Sequence, residues 1–220
     1  VIHPAEAASV VSLLENLGFE TGVDTPYGQR LADGQLLMLV RSGQPAGPSL
    51  LYAAASLQSV GDRLTAAGVP FTGDRTSQLH IEGPGHLRIT IVPATAEDIE
   101  ERSGLDNPVL GFLDSIVVPV TDADEAARWA QKCGFFILET SDVAAPMVDV
   151  TDGLMKLSFR QQDLRAPYLH YTADIDREWA DDLKQSIEDA CTIIPAGGDV
   201  GLVAVNALDA VQFMITHDEF

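Results

Sequence analysis

One order of elements, strand-helix-strand-strand-strand, recurs along the whole sequence, and no other feature narrows the possible folds as much. It is plainest in the middle. Phe112 to Val120 is rich in β-forming residues and reads as a strand. Thr121 and Asp122 supply a helix N-cap, and Asp124 and Glu125 suit the positive end of the helix that follows. Ala126, Ala127, Trp129, Ala130 and Cys133 are its apolar positions, and Gly134 stops it. Phe135 to Leu138 and Met147 to Val150 read as strands. The turn Thr151-Asp152-Gly153 leads into a last strand ending at Phe159.

The other copies have the same order. Tyr168 to Ile175 is a strand, and the helix from about Asp176 carries Trp179, Leu183 and Ile187 at four-residue steps. Strands follow at Thr192 to Ile194, Val200 to Val205 and Val211 to Thr216, separated by Gly197-Gly198 and Asp209-Ala210. Upstream, Ser49 to Ala55, a helix over Gln58 to Ala67, and strands near Phe71, Gln78 to Ile81 and Leu87 to Val92 make another copy. The first begins with Val1-Ile2, read as the tail of a strand whose start precedes Val1. A helix over Ala5 to Leu17 follows, then strands at Phe19 to Val23, Gln29 to Leu31 and Gln35 to Val40. Helix ends repeat as Leu17-Gly18-Phe19, Ala67-Gly68-Val69 and Cys133-Gly134-Phe135. Each copy spans about 50 residues. The polar stretch 96–111 breaks the rhythm, so the expected division is a domain over 1–95, a linker, and a domain over 112–220.

Charge narrows the partners. The 220 residues carry 33 acids against 13 bases, a net charge of −20. Such a field repels phosphate backbones and anionic membranes, so neither nucleic acid nor membrane is an expected partner. No run approaches the roughly 20 apolar residues of a membrane span, and a cytoplasmic location is expected. Cys133 and Cys191 fall in separate helix-like segments with no zinc or disulfide spacing and read as small buried apolar residues.

Paired βαβββ modules, the glycine helix ends and the acidic-glycine turn in Val150-Thr151-Asp152-Gly153-Leu154 resemble the vicinal oxygen chelate superfamily. That group includes glyoxalase I, extradiol dioxygenases and bleomycin-resistance proteins. The resemblance implies an α+β fold of four βαβββ modules paired into two glyoxalase-like half-barrel domains, each with a concave pocket. It also implies a divalent metal as cofactor, held by His on first strands and Glu or His on last strands, with positions left free for a bidentate substrate.

Carried over position by position, the ligand places fall mostly on other residues. First strands offer Leu51, Ser115 and His170; last strands offer Met38, Ile89, Leu157 and Met214. His170 is the one candidate metal ligand, so a metal-free pocket is expected, with a metal-bound one as the alternative. Strand alternation gives the expected linings. In the first domain they are Met38, Val40, Leu51, Ala53, Ile89 and Ile91, a core. In the second they are Ser115, Val117, Leu157, Phe159, His170, Thr172, Met214 and Thr216, an apolar wall with an imidazole and hydroxyls that suits a small organic ligand. The competing reading makes His170 a core histidine with satisfied nitrogens.

The remaining histidines are weaker candidates. His3 reads as a loop residue, His80 and His86 flank a hairpin, and His217 sits in a polar tail with Asp218 and Glu219. Neither a dinucleotide fingerprint, a phosphate loop nor a nucleophile elbow occurs. Three functional readings follow: a metal-free small-molecule binder, a divalent-metal-dependent lyase, isomerase or dioxygenase, and an interaction protein whose exposed sheet edges pair, with a homodimer as the candidate assembly.

Overall fold

A computed structural model describes residues 1–2, 4, 6–41, 49–94, 107–141, 146–163, 166–187, 190–196, 199–207 and 211–217. His3, Gly197-Gly198, Asp209-Ala210, Asp218 and Glu219 lie outside them, as does most of the expected linker.

The elements follow the expected modules. Module one holds α1 (Ala7–Asn16), β1 (Glu20–Thr25), β2 (Gly28–Ala32) and β3 (Leu37–Val40); module two holds β4 (Ser49–Ala54), α2 (Leu57–Ala67), β5 (Thr72–Asp74), β6 (Gln78–Glu82) and β7 (Arg88–Pro93). Module three holds β8 (Phe112–Val120), α3 (Ala123–Cys133), β9 (Phe136–Ser141), β10 (Met147–Thr151) and β11 (Lys156–Gln161). Module four holds β12 (Tyr168–Ala173), α4 (Arg177–Ile187), β13 (Cys191–Ala196), β14 (Asp199–Ala207) and β15 (Val211–His217).

In each full module the first strand pairs parallel with the last: β4 with β7, β8 with β11, and β12 with β15. In module one Ile2 makes an isolated parallel bridge to Val40, at the position expected for a first strand. The local chemistry is as read. Asp122 caps α3 by accepting from the Glu125 N–H at 2.8 Å, and Gly134 ends it in the left-handed region. Asp152 fixes the Thr151-Asp152-Gly153 turn by accepting from the N–H groups of Leu154 and Met155, while the Tyr52 hydroxyl donates to it at 2.7 Å. No helix among the described residues is long and apolar enough to cross a membrane.

The compact units are grouped differently from the expected division at 96–111. One comprises Val1–Gly47, Arg102–Ser115 and Tyr168–Phe220; the other comprises Pro48–Glu101 and Ile116–Pro167. Modules one and four therefore pack together, as do two and three. The reason lies in side-chain packing, which propensity does not report. In the first unit α1 lies against α4 and β14, and Phe19 packs edge-on against Phe213 with ring centroids 6.2 Å apart. The end of the expected linker is also not a linker. Asn107 and Leu110 are buried, and Asn107 Oδ1 accepts from the N–H groups of Val109 and Leu110, both at 2.7 Å.

Within the first unit the strands run β1-β2-β3 and β13-β14-β15-β12, with Phe112 to Ser115 at the start of β8. Within the second they run β4-β7-β6-β5 and β8-β11-β10-β9.

Candidate functional site

Strand register sorts the expected lining residues. On β12 and β15, His170 lies opposite Met214 and Thr172 opposite Thr216. Cα partners on adjacent strands share a sheet face, so these four stand together. Ala204 and Leu202 of β14 continue the face beside Met214 and Thr216. The alternate residues, Leu169, Tyr171, Val203, Val205, Phe213 and Ile215, are buried on the opposite face, whereas the His170 set is only half-buried.

Leu157 and Phe159 do not join them. In the second unit they pair with Ile116 and Val118, are fully buried, and lie on a strand that packs against α3. Within this unit Ser158, the register partner of Val117, and Lys156 and Arg160 take the alternate positions of the strand. The expectation failed because Leu154 and Met155 follow the turn before β11 starts, and a one-residue shift exchanges the faces of a strand. The alternation Lys156-Ser158-Arg160 between apolar residues is the signal that could have revealed it. The first-domain lining needs the same correction. Leu51 pairs with Thr90 rather than Ile89 or Ile91, while Met38 and Val40 belong to the other unit.

His170 is held at both ring nitrogens. Its Nδ1 is 3.1 Å from Asp114 Oδ2 and its Nε2 is 3.0 Å from Thr216 Oγ1. An ionised carboxylate only accepts, so a neutral ring carries its proton on Nδ1, and Nε2 is left to accept from the Thr216 hydroxyl. Ser115 is buried and donates to the same Asp114 Oδ2 at 2.8 Å. Side-chain exposures of 14% for His170 and 27% for Asp114 leave the group reachable from solvent.

The local fold aims Asp114. Gln35 brackets the start of β8, donating from Nε2 to the Gly111 carbonyl at 3.0 Å and accepting at Oε1 from the Leu113 N–H at 2.8 Å. Gly111 has φ +81°, and a Cβ there would lie 2.3 Å from the Thr172 carbonyl oxygen, so only glycine lets β8 begin this close to β12. Sequence reasoning missed Asp114. Its one signal was an acid among apolar β-formers, which demands a partner if it is not solvated.

The other candidates stay apart. His80 Nδ1 lies 3.1 Å from Thr90 Oγ1, and His86 is exposed in the Gly83 to His86 turn, so the two form no ligand pair. Cys133 ends α3 and is half-buried, not buried, and Cys191 is buried but opens β13 rather than lying in a helix; burial pushes the Cys133 thiol up to about 11 and raises that of Cys191. A cavity of about 350 Å³ in the second unit lies between the Gly83 to Gly85 turn, Asp122 and Trp129, and includes none of the expected lining residues.

These donors do not fit the metal that the fold implies. A catalytic divalent ion needs about three protein donors. Here His170 Nδ1 is committed to Asp114 and Nε2 receives the Thr216 hydroxyl. Met214 and Thr216 stand on the last strand where a carboxylate would be required. No group of three or more His, Cys, Asp or Glu suited to a metal occurs among the described residues.

The architecture defines the class: this is the vicinal oxygen chelate fold, with four βαβββ modules. Solved structures that share this fold include two dioxygenases and a synthase. A variant of homoprotocatechuate 2,3-dioxygenase from Brevibacterium fuscum superposes with TM-score 0.64 at 10% identity, over 100% of this chain and 70% of that one. BphC, a halotolerant catechol dioxygenase, gives 0.58 at 15%, over 99% and 84%. A variant of 4-hydroxymandelate synthase from Streptomyces coelicolor gives 0.61 at 13%, over 99% and 91%. No protein-family model matches the sequence, and no curated protein matches it.

Proposed function

We propose that the chain binds a small organic molecule on the His170 face of the fourth module, without a metal ion. The observation that carries this is the engagement of both His170 ring nitrogens by Asp114 and Thr216. The face mixes Met214, Leu202 and Ala204 with His170, Thr172 and Thr216. That is an apolar surface with a few convergent polar groups, the usual composition of a small-molecule site. One structural relative, a variant of homoprotocatechuate 2,3-dioxygenase, is seen in complex with HPCA, which makes small aromatic acids the first compounds to try.

A second reading has support of its own. The relatives named above include dioxygenases, which favours a metal-dependent oxygenase with donors supplied on ligand binding. Thermal denaturation in the presence of chelator separates the two. A true ligand at about 100 times its dissociation constant adds about 2.7 kcal/mol, and His170→Ala abolishes that shift. A panel that shifts nothing in chelator, but does so once divalent iron or manganese is supplied, overturns the metal-free reading.

A further inference from the structure

We infer that Thr216, His170 and Asp114 form a nucleophile-base-orienter triad able to cleave small esters through an acyl-threonine intermediate. This rests on the metal-free reading of the His170 face. Three elements converge to build it: Thr216 from β15, His170 from β12 and Asp114 from β8, all within the first unit. The two links, 3.0 Å from Thr216 Oγ1 to Nε2 and 3.1 Å from Nδ1 to Asp114 Oδ2, are the contacts by which a hydroxyl is activated. Their polarity is also right. Asp114 fixes the proton on Nδ1 and leaves the Nε2 lone pair facing the hydroxyl it must deprotonate.

A histidine that merely fills a core needs its nitrogens satisfied, but by any partners. Here one side is a carboxylate and the other an alcohol, and the group stays partly open to solvent. Thr172 is the Cα partner of Thr216 across the β12–β15 pair, so a second hydroxyl-bearing residue shares the face with the nucleophile. Met214 and Leu202 are neighbours on the same face, so an apolar acyl group is the kind this surface suits.

The step balances without any further reactant. Thr216 Oγ1 attacks the ester carbonyl carbon while its proton passes to His170 Nε2. The carbon-oxygen bond to the alcohol breaks, and that proton leaves with the alkoxide as the free alcohol. Water then adds to the acyl-threonine, giving its proton to the same Nε2. The carboxylic acid departs, and Thr216 recovers its hydrogen. His170 and Thr216 touch the reacting atoms, whereas Asp114 acts through His170 as a positioning residue.

The test uses the full chain, purified in chelator with its metal content measured, and p-nitrophenyl acetate as probe. The expected result is steady hydrolysis, with an acetyl group on the Thr216 peptide of quenched protein. Thr216→Val, which keeps the shape and loses the hydroxyl, and His170→Gln are each expected to be at least about 100-fold slower. Thr216→Ser is expected to retain turnover. Asp114→Asn is expected to lower kcat with KM unchanged, a split that a purely structural role would not give. Melting curves identify any variant that fails to fold, and Thr216→Ser then carries the comparison through its acyl-serine adduct. Hydrolysis undiminished in folded Thr216→Val, or acetyl groups only on other residues, overturns the inference. Metal-free protein with no acyl-threonine ends this inference alone, whereas a stoichiometric metal held by His170 ends the metal-free reading beneath it.

Discussion

Asp33→Ala is expected to destabilise the first unit by about 3–5 kcal/mol, read as a fall in the denaturant midpoint at unchanged slope. Asp33 is only 6% exposed, yet its carboxylate accepts four hydrogen bonds. The Tyr171 hydroxyl donates to it at 2.6 Å, Asn107 Nδ2 at 3.2 Å, and the N–H groups of Gln35 and Leu36 at 3.0 and 2.8 Å. Removing it strands a buried phenol and an amide together. It also frees the turn that carries Gln35, which brackets the strand bearing Asp114. The loss is therefore expected to extend to the ligand binding proposed at His170, far away in sequence. Asp33→Asn, which keeps an acceptor oxygen for the backbone donors, is expected to lose distinctly less. A loss of less than about 1 kcal/mol for the alanine variant would show that solvent reaches the cluster and satisfies it.

The second large effect is alkaline. Tyr171 is fully buried, and its phenol is held well above its ordinary value. Burial is the main cause, reinforced by the negative charge of Asp33 and by the hydrogen bond to it. In the unfolded chain a tyrosine ionises near about 10. Above that pH the unfolded state has lost a proton that the folded state keeps, so stability falls as pH rises. Below it both states are neutral, and this contribution is fully present. Each further pH unit is expected to cost up to about 1.4 kcal/mol until the folded phenol itself ionises. Tyr171→Phe is expected to be the less stable protein at neutral pH, by about 1 kcal/mol, and to lose less than the parent between pH 10 and 12. Equal slopes for the two proteins over that range would show that the phenol ionises in place.

Both effects centre on contacts that no local signal announces, and this marks the boundary of what the chain makes legible. The repeated modules were legible because helix stops and turns are local chemistry. Gly68 and Gly134 take the left-handed conformation, and Asp122 and Asp152 satisfy neighbouring N–H groups. The partnering of modules was not. It depends on Asp33 meeting Tyr171 and on Phe19 meeting Phe213, and neither pair leaves a trace in periodicity. Site residues split along the same line. His170, Thr172, Met214 and Thr216 were placed together because β12 and β15 are short and regular. Leu157 and Phe159 were misplaced because the start of β11 depends on how many residues the turn before it consumes. Asp114 was missed because its worth lies in a histidine on another strand.

His170 spends both ring nitrogens on protein partners, and a bound metal would have to displace one of them. The most direct measurement is the metal content of the chain, expressed with iron, manganese and zinc supplied and purified without chelator, read beside that of His170→Ala. Each metal is expected far below one equivalent per chain, with no difference between the two proteins. A stoichiometric metal that disappears with the histidine would contradict it.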